Sequence, residues 1–364
     1  MRRLLIAAGG GGDAITTAMV HAALYGEDTP ALVLTYAWER LVVDPVPGPR
    51  SPADFTGTER VGELLHLVTP RSAPVPPAGS LLPRLAAALK PALGILDPYT
   101  GSTGMARQIA EAAAYCGADR VDIVDVGGDV VADGSEPTLR SPLGDALAVA
   151  ACRRAGLPTA VHVAGPGLDS EVPEADLLPR LGEPAFTLTA GHARCVDAVF
   201  DWHPSEASAL LVAAARGVRG VCGTRDAAVP VVLGPASARV YRLPLERVLE
   251  INRLARALEG VEGLAEAESA CRSVCGFSEV ARERFRAARG FGGAVGSADA
   301  VVDAGALYER FAAWERRTAA LGIEYVTTRR FAEELALSPG ELALLRGRLK
   351  GRAAPPLWRL NVGR

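Results

Sequence analysis

Asp125 and Asp129 stand four residues apart in "VDVGGDVVADGSEPTLRSPLGDA", with Gly127 and Gly128 between them and an apolar run just before. Carboxylates beside glycines at the end of a buried strand are a usual way to hold a divalent cation, Mg or Mn, or the hydroxyls of a sugar. Without a cation, close carboxylates raise each other's pKa, and one becomes a general acid or base. Asp133 and Glu136 follow in the same loop. Asp145 falls in the first turn of the next helix, where charge–dipole attraction accounts for it without a ligand.

A second constellation is "GGGGD", Gly9, Gly10, Gly11, Gly12 and Asp13, between a first strand and a first helix. Glycines let a backbone approach a ligand closely, and a helix N-terminus offers free N–H groups to an anion or a sugar edge. Asp13 repels a phosphate unless it caps the helix or binds a cation or hydroxyl. The loop only loosely fits a dinucleotide fingerprint, because the second strand ends at Thr35–Tyr36 without an acidic residue for a ribose and Glu39 comes late.

"LDPYTGSTG" offers Asp97, Thr100, Ser102 and Thr103 after a fourth strand, and "GPGLDSE" offers Asp169 and Glu171 after a sixth. Arg225 in "GTRDA" is a candidate clamp for a carboxylate or phosphate. His192 and His203 sit in polar settings, as ligands, bases or simple caps. His21, His66 and His162 fall inside elements and read as structural. There is no Gly-x-Ser-x-Gly elbow and no P-loop lysine.

The elements that must carry these groups alternate. Strands are predicted at Arg3–Ala8, Ala31–Tyr36, Leu64–Val68, Leu93–Leu96, Arg120–Val126 and Thr159–Val163. Helices over Ala14–Tyr25, Leu82–Leu89, Met105–Cys116 and Pro142–Ala155 are interleaved with them. Alternation of this kind predicts right-handed crossovers and an α/β, Rossmann-like, mostly parallel sheet with helices on both faces. Ligands then bind outside the carboxyl ends of the strands, where the polar loops converge. Strands at Val229–Leu233 and Arg239–Leu243, joined by "GPASA", and helices at Pro204–Arg216, Leu245–Leu258 and Glu262–Val274 follow. The expected organisation is an α/β body over 1–300 and a helical C-terminal appendage over 301–364, with the Gly-rich "RGFGGAVGSADA" between them.

Composition narrows the function classes. With 39 Lys+Arg against 42 Asp+Glu, the formal net charge is -3. There is no basic excess for nucleic acid. No apolar stretch is long enough to span a membrane, and "MRRLLIAA" reads as a strand rather than a signal peptide. Cys116, Cys152, Cys195, Cys222, Cys271 and Cys275 read as free thiols, which fits a reducing cytoplasm. Small-residue helix surfaces would allow a homo-oligomer without requiring one.

In order, "GGGGD", "WERLVVDPVPGPRS", "GMARQIA", "VDVGGDVVADGSEPTLRSPLGDA" and "GTRDAAVPV" resemble an uncharacterised domain-of-unknown-function family of archaeal and bacterial proteins. The likeness covers roughly the first 260 residues. It differs where this chain reads "GLDSE" in place of a Gly-x-Asp-Gly-Glu type stretch. The resemblance implies a shared α/β fold and a shared Gly/Asp site, and no activity.

The residues themselves point to an enzyme acting on a small phosphate- or ribose-bearing molecule by hydrolysis or group transfer. Asp13, Asp125 and Asp129 are its candidate catalytic groups. Asp125 and Asp129 are its candidate metal ligands. Gly9 to Gly12, Thr103 and Arg225 are its candidate binding residues. A metal-independent lyase or cyclase using paired carboxylates, and a non-catalytic ligand sensor, are the alternatives.

Overall fold

The computed structural model describes residues 2–225, 229–290 and 303–361. The expected Gly-rich junction from Gly290 onward falls almost wholly outside the described residues. Five parallel strands form the centre: β1 (Arg3–Gly10), β2 (Ala31–Tyr36), β3 (Ala92–Leu96), β4 (Val121–Val126) and β5 (Thr159–Ala164). They lie side by side in the order β5-β4-β1-β2-β3. The chain moves outward from β1 to one edge, then returns to the other side of β1. This is the doubly wound order, and its switch point lies between β1 and β4.

Register is set by apolar runs buried on both faces. Leu4, Leu5 and Ile6 pair with Leu32, Val33 and Leu34 of β2. Leu5, Ile6 and Ala7 pair with Asp122, Ile123 and Val124 of β4. Alternate side chains then face opposite ways. Leu4, Ile6, Leu34 and Ile123 join a core with helices Gly101–Cys116 and Pro142–Ala155. Leu5, Ala7, Val33 and Val124 join a second core with helices Asp13–Tyr25 and Glu206–Ala215. Asp122 is a buried charged group inside the sheet. It is held by Tyr25 Oη–H at 2.5 Å and by His162 Nε2 at 3.0 Å.

Short antiparallel strands extend both edges. Residues 66–68 and 59–60 flank β3. Arg239–Pro244 and Pro184–Thr187 flank β5. The segment 184–187 is not predicted as a strand, since four residues opening on a proline are too short a run to stand out. The predicted strands on either side of "GPASA" do not pair with each other. Arg239–Pro244 joins the main sheet. Val231–Leu233 pairs with Gly220–Gly223 in a second, five-stranded sheet.

That second sheet reaches into the C-terminal segment. Gly220–Gly223 runs parallel to Tyr325–Thr327, which pairs with Leu357–Arg359. The segment is mainly helical, with helices Ala304–Ala319, Thr328–Glu334 and Pro339–Leu349. A separate core of Phe311, Trp314, Val326, Phe331 and Trp358 holds it, with Phe331 at the centre of three edge-on aromatic contacts. The predicted single helix Leu245–Leu258 is broken at Asn252. The Asn252 side chain accepts from Ala255 N–H at 2.8 Å and donates to the Val130 carbonyl at 3.0 Å, so it caps the second piece and ties it to the loop after β4. Among the described residues no helix is long and apolar enough to cross a membrane.

Candidate functional site

The carboxyl ends of β1 and β4 open into a cavity of about 110 Å³ that reaches solvent. About 10–15 Å³ of such space holds one water, so a cation, its waters and a small polar group fit. All of Gly9 to Gly12 line it, with Asp13, Asp125 and Asp129. The glycine loop is also tightly packed. A Cβ on Gly10 would stand 2.5 Å from the Trp38 carbonyl oxygen, and one on Gly12 would stand 1.9 Å from Ser205 Oγ. Gly10 and Gly12 therefore have a steric reason to be glycine, apart from any ligand.

Asp13 is the first residue of its helix, and its Oδ2 accepts from Gly9 N–H at 3.0 Å. Asp125, one residue before the end of β4, is 1% exposed and accepts from Val130 N–H at 3.4 Å. Asp145 comes from the first turn of helix Pro142–Ala155, is 2% exposed, and its buried Oδ1 has no hydrogen-bond partner. One oxygen from each of Asp13, Asp125 and Asp145 lies within 4.8 Å of the others. The sequence offered Asp145 a sufficient role as a dipole partner. The fold instead brings it to the two strand-end aspartates. Asp129, in the turn after β4, lines the same cavity beside Asp145 and Asp125 but is not part of that trio.

The electrostatics follow from burial. Burial pushes Asp13 up to about 7. Burial first, then the charges of Asp13 and Asp169, carries Asp125 well above the carboxylate range. Asp145 and Asp129 are raised likewise by burial and then by their acidic neighbours. Asp169, on the loop after β5, is pushed to about 8 by burial and by Glu171, and its Oδ2 is buried without a partner. Ten lining side chains are carboxylates, against two arginines and one histidine. Three helix N-termini, at Asp13, Pro142 and Glu206, bring partial positive charge to the same space. They offset part of that repulsion, and a cation would offset the rest.

Four further groups line the cavity: Glu171 and His203 are sequence candidates, Glu39 stands out in the sequence only as coming late after the second strand, and Glu279 carries no sequence signal. Glu39, 5% exposed, accepts from Leu81 N–H at 2.8 Å and from Ser80 Oγ–H at 3.2 Å, and burial takes it to about 7. Glu279 crosses from a distant helix to accept from Leu143 N–H at 3.0 Å. Glu171 accepts from Arg140 and Ser141 N–H at 2.6 and 2.8 Å and so fixes the start of the Asp145 helix. His203 Nδ1 accepts from Ser205 N–H at 3.1 Å, which leaves the proton on Nε2. That Nε2 is buried and unpartnered, and burial pulls the ring down to about 3, so it is neutral.

Other candidates lie elsewhere. Thr103 does not line the cavity, and its N–H donates to the Val261 carbonyl at 3.1 Å. Arg225 N–H donates to Glu206 at 2.8 and 2.9 Å, and Arg225 Nε pairs with Glu333 at 3.1 Å in an adjoining recess. His192 closes a helix start by accepting from Thr189 N–H at 3.2 Å. Asp133 accepts from Ser135 N–H at 2.8 Å, and Glu136 pairs with Arg180 at 2.6 Å.

Fold and site together define a doubly wound α/β protein with an acidic cavity at its topological switch point. The chain belongs to the family described as "Protein of unknown function (DUF1152)", whose model matches residues 4–287. No curated protein and no solved structure matches the chain.

Proposed function

We propose that this chain is an enzyme acting on a small phosphate- or ribose-bearing molecule, such as a nucleoside, nucleotide or sugar phosphate, by hydrolysis or group transfer. A divalent cation, Mg or Mn, would be held by Asp13, Asp125 and Asp145, with Asp129 beside them. The observation that carries this reading is the meeting of those three carboxylates within 4.8 Å, one of them with a buried oxygen that nothing satisfies. A cation there supplies Lewis acidity and a bound water of lowered pKa. Asp169, near neutrality at about 8, would hold the proton that a leaving group takes up. The uncharged His203, with Nε2–H unpartnered, would donate a hydrogen bond to a substrate oxygen.

The raised carboxyl pKa values also suit the metal-independent alternative, in which paired carboxyls act as acid and base. Calorimetric titration with Mn²⁺ separates the two. Wild type should bind one ion, and Asp145→Asn should lose it. A wild type that binds no Mn²⁺ or Mg²⁺ at millimolar concentration would remove the cation from the mechanism.

A further inference from the structure

Cys271 and Cys275 stand one helical turn apart on helix Leu264–Cys275, and neither lines the acidic cavity. We infer that the two form an oxidation site, a thiol pair that a hydroperoxide converts to a disulfide, with Cys275 attacking first and Cys271 resolving. The two positions differ in access. Cys271 is fully buried, whereas Cys275 is partly exposed as the last residue of the helix. Cys275 Sγ packs against the loop after β4, where a Cβ on Gly134 would stand 3.2 Å from it. A peroxide reaches Cys275 and not Cys271, and the second thiol waits behind the first.

The surroundings single out Cys275 among the six cysteines. Burial pushes the thiols of Cys116, Cys152, Cys195 and Cys222 up, Cys195 to about 11. Cys195 is the only other thiol with some exposure. A hydrogen bond from the Cys271 thiol draws Cys275 below the ordinary thiol value, against burial, and the positive charge of Arg253 helps. The same bond, with burial, holds Cys271 up, so Cys271 keeps its proton. A helix C-terminus disfavours a thiolate, so the lowering comes from these side chains and not from the helix. The thiolate, rather than the thiol, is the nucleophile.

The chemistry balances with the hydroperoxide as the sole oxidant. The Cys275 thiolate attacks the terminal oxygen of R–O–O–H, the O–O bond breaks, and R–O⁻ leaves and takes up a proton. Cys275 is then a sulfenic acid. The Cys271 sulfur attacks the Cys275 sulfur and gives up its proton, and the hydroxide leaves with that proton as water. The two thiols lose two electrons to form one S–S bond. The hydroperoxide gains them and ends as R–OH and water.

The backbone must yield a little for that bond to close. Residues i and i+4 of a helix hold their Cβ atoms about 5–6 Å apart, and a disulfide needs about 3.5–4.5 Å. The turn between the cysteines therefore tightens by about 1–2 Å. It is the turn best placed to do so. Cys275 is the final helical residue, and Gly276, at φ 78°, has already left the helix. No further turn of that helix has to follow the movement.

The probe is hydrogen peroxide in small excess, added to the full-length protein after reduction and removal of reductant. The protein is then denatured, alkylated with N-ethylmaleimide and peptide-mapped by mass spectrometry. Wild type should lose two of its six alkylation sites, Cys271 and Cys275, and dithiothreitol should restore both. Cys195 titrates near 11 and Cys275 below the ordinary thiol value, so Cys275 holds about a hundredfold more thiolate at neutral pH. The weaker nucleophilicity of the more acidic thiolate returns about tenfold of that, so Cys275 should be oxidised roughly tenfold faster than Cys195. Cys271→Ser should stop at a Cys275 sulfenic acid that dimedone traps, and Cys275→Ser should leave Cys271 alkylatable. A wild type that still alkylates at all six thiols, that loses Cys195 first, or that carries Cys275 as sulfinic acid beside a free Cys271 overturns the pair. The wild-type map decides this even where a variant fails to fold.

Discussion

Raising the pH of the cation-free protein from 6 to 8 should lower its melting temperature, and a divalent cation should reverse the loss. Glu39 and Asp13 are both pushed up to about 7, chiefly by burial. In the unfolded chain they titrate near 4. Below that range both states are protonated and the groups cost nothing. As pH rises to the folded value, the unfolded chain ionises first and gains stability that the folded chain does not. Through these two groups folding is therefore weakened progressively up to about pH 7 to 8, and their contribution levels off above. Between pH 6 and 8 each group titrating at 7 removes about 1.3 kcal/mol, so the pair removes about 3 kcal/mol. Asp169, at about 8, and Asp125, Asp129 and Asp145, raised further by burial, act in the same direction. A chain of this length unfolds with an entropy of about 0.8 kcal/mol/K, so these two groups alone shift it about 4 °C downward. Differential scanning fluorimetry at matched ionic strength reads it. Mn²⁺ at a hundredfold excess over its Kd adds about 2.7 kcal/mol, and it should do so at lower concentration at pH 8 than at pH 6, because binding displaces protons. A melting temperature that is flat or rising between pH 6 and 8 in chelator would refute the assignment of these carboxyls as buried and proton-holding.

Two further outcomes follow from packing. Gly12→Ala places a methyl 1.9 Å from Ser205 Oγ and should destabilise by about 1–3 kcal/mol, seen as a lower urea midpoint with an unchanged slope; a neutral result would mean the loop is not packed against Ser205. Phe331→Ala should cost about 3–5 kcal/mol and release the C-terminal core, with a red shift in the emission of Trp314 and Trp358, while a wild-type spectrum would count against that core.

Much of the architecture was legible because its signals are local. The runs Leu4–Ala8 and Ala31–Tyr36 are apolar on both faces, as central parallel strands must be, and the helices between them are bounded by glycines and prolines. Strand order was not legible, since register among similar Val/Leu/Ala strands depends on tertiary packing. The floor of the cavity was half legible. Asp13 and Asp125 announce themselves beside glycines at element boundaries. Asp145 does not, because a first-turn aspartate has an ordinary role in any helix. Glu279 was invisible: it lies more than 130 residues from the Leu143 N–H it caps, in a helix whose own pattern is unremarked. Thr103 carried the right local chemistry at a strand end, yet its N–H turns to the Val261 carbonyl, a partner no local pattern names.

The second sheet sets an order of events during synthesis. Gly220–Gly223 gains its antiparallel neighbour within about ten residues of chain, but its parallel neighbour, Tyr325–Thr327, emerges about a hundred residues later. At roughly 5–20 residues per second, that edge waits on the order of 5–20 s on the ribosome. The two central cores can consolidate in that interval. The bond from Thr327 to Glu206, and the arrival of Arg329 at the cavity mouth, follow that wait, and Leu357–Arg359 pairs with Tyr325–Thr327 last. A nascent chain of this protein therefore holds every carboxylate of its acidic floor before Arg329 reaches the cavity mouth.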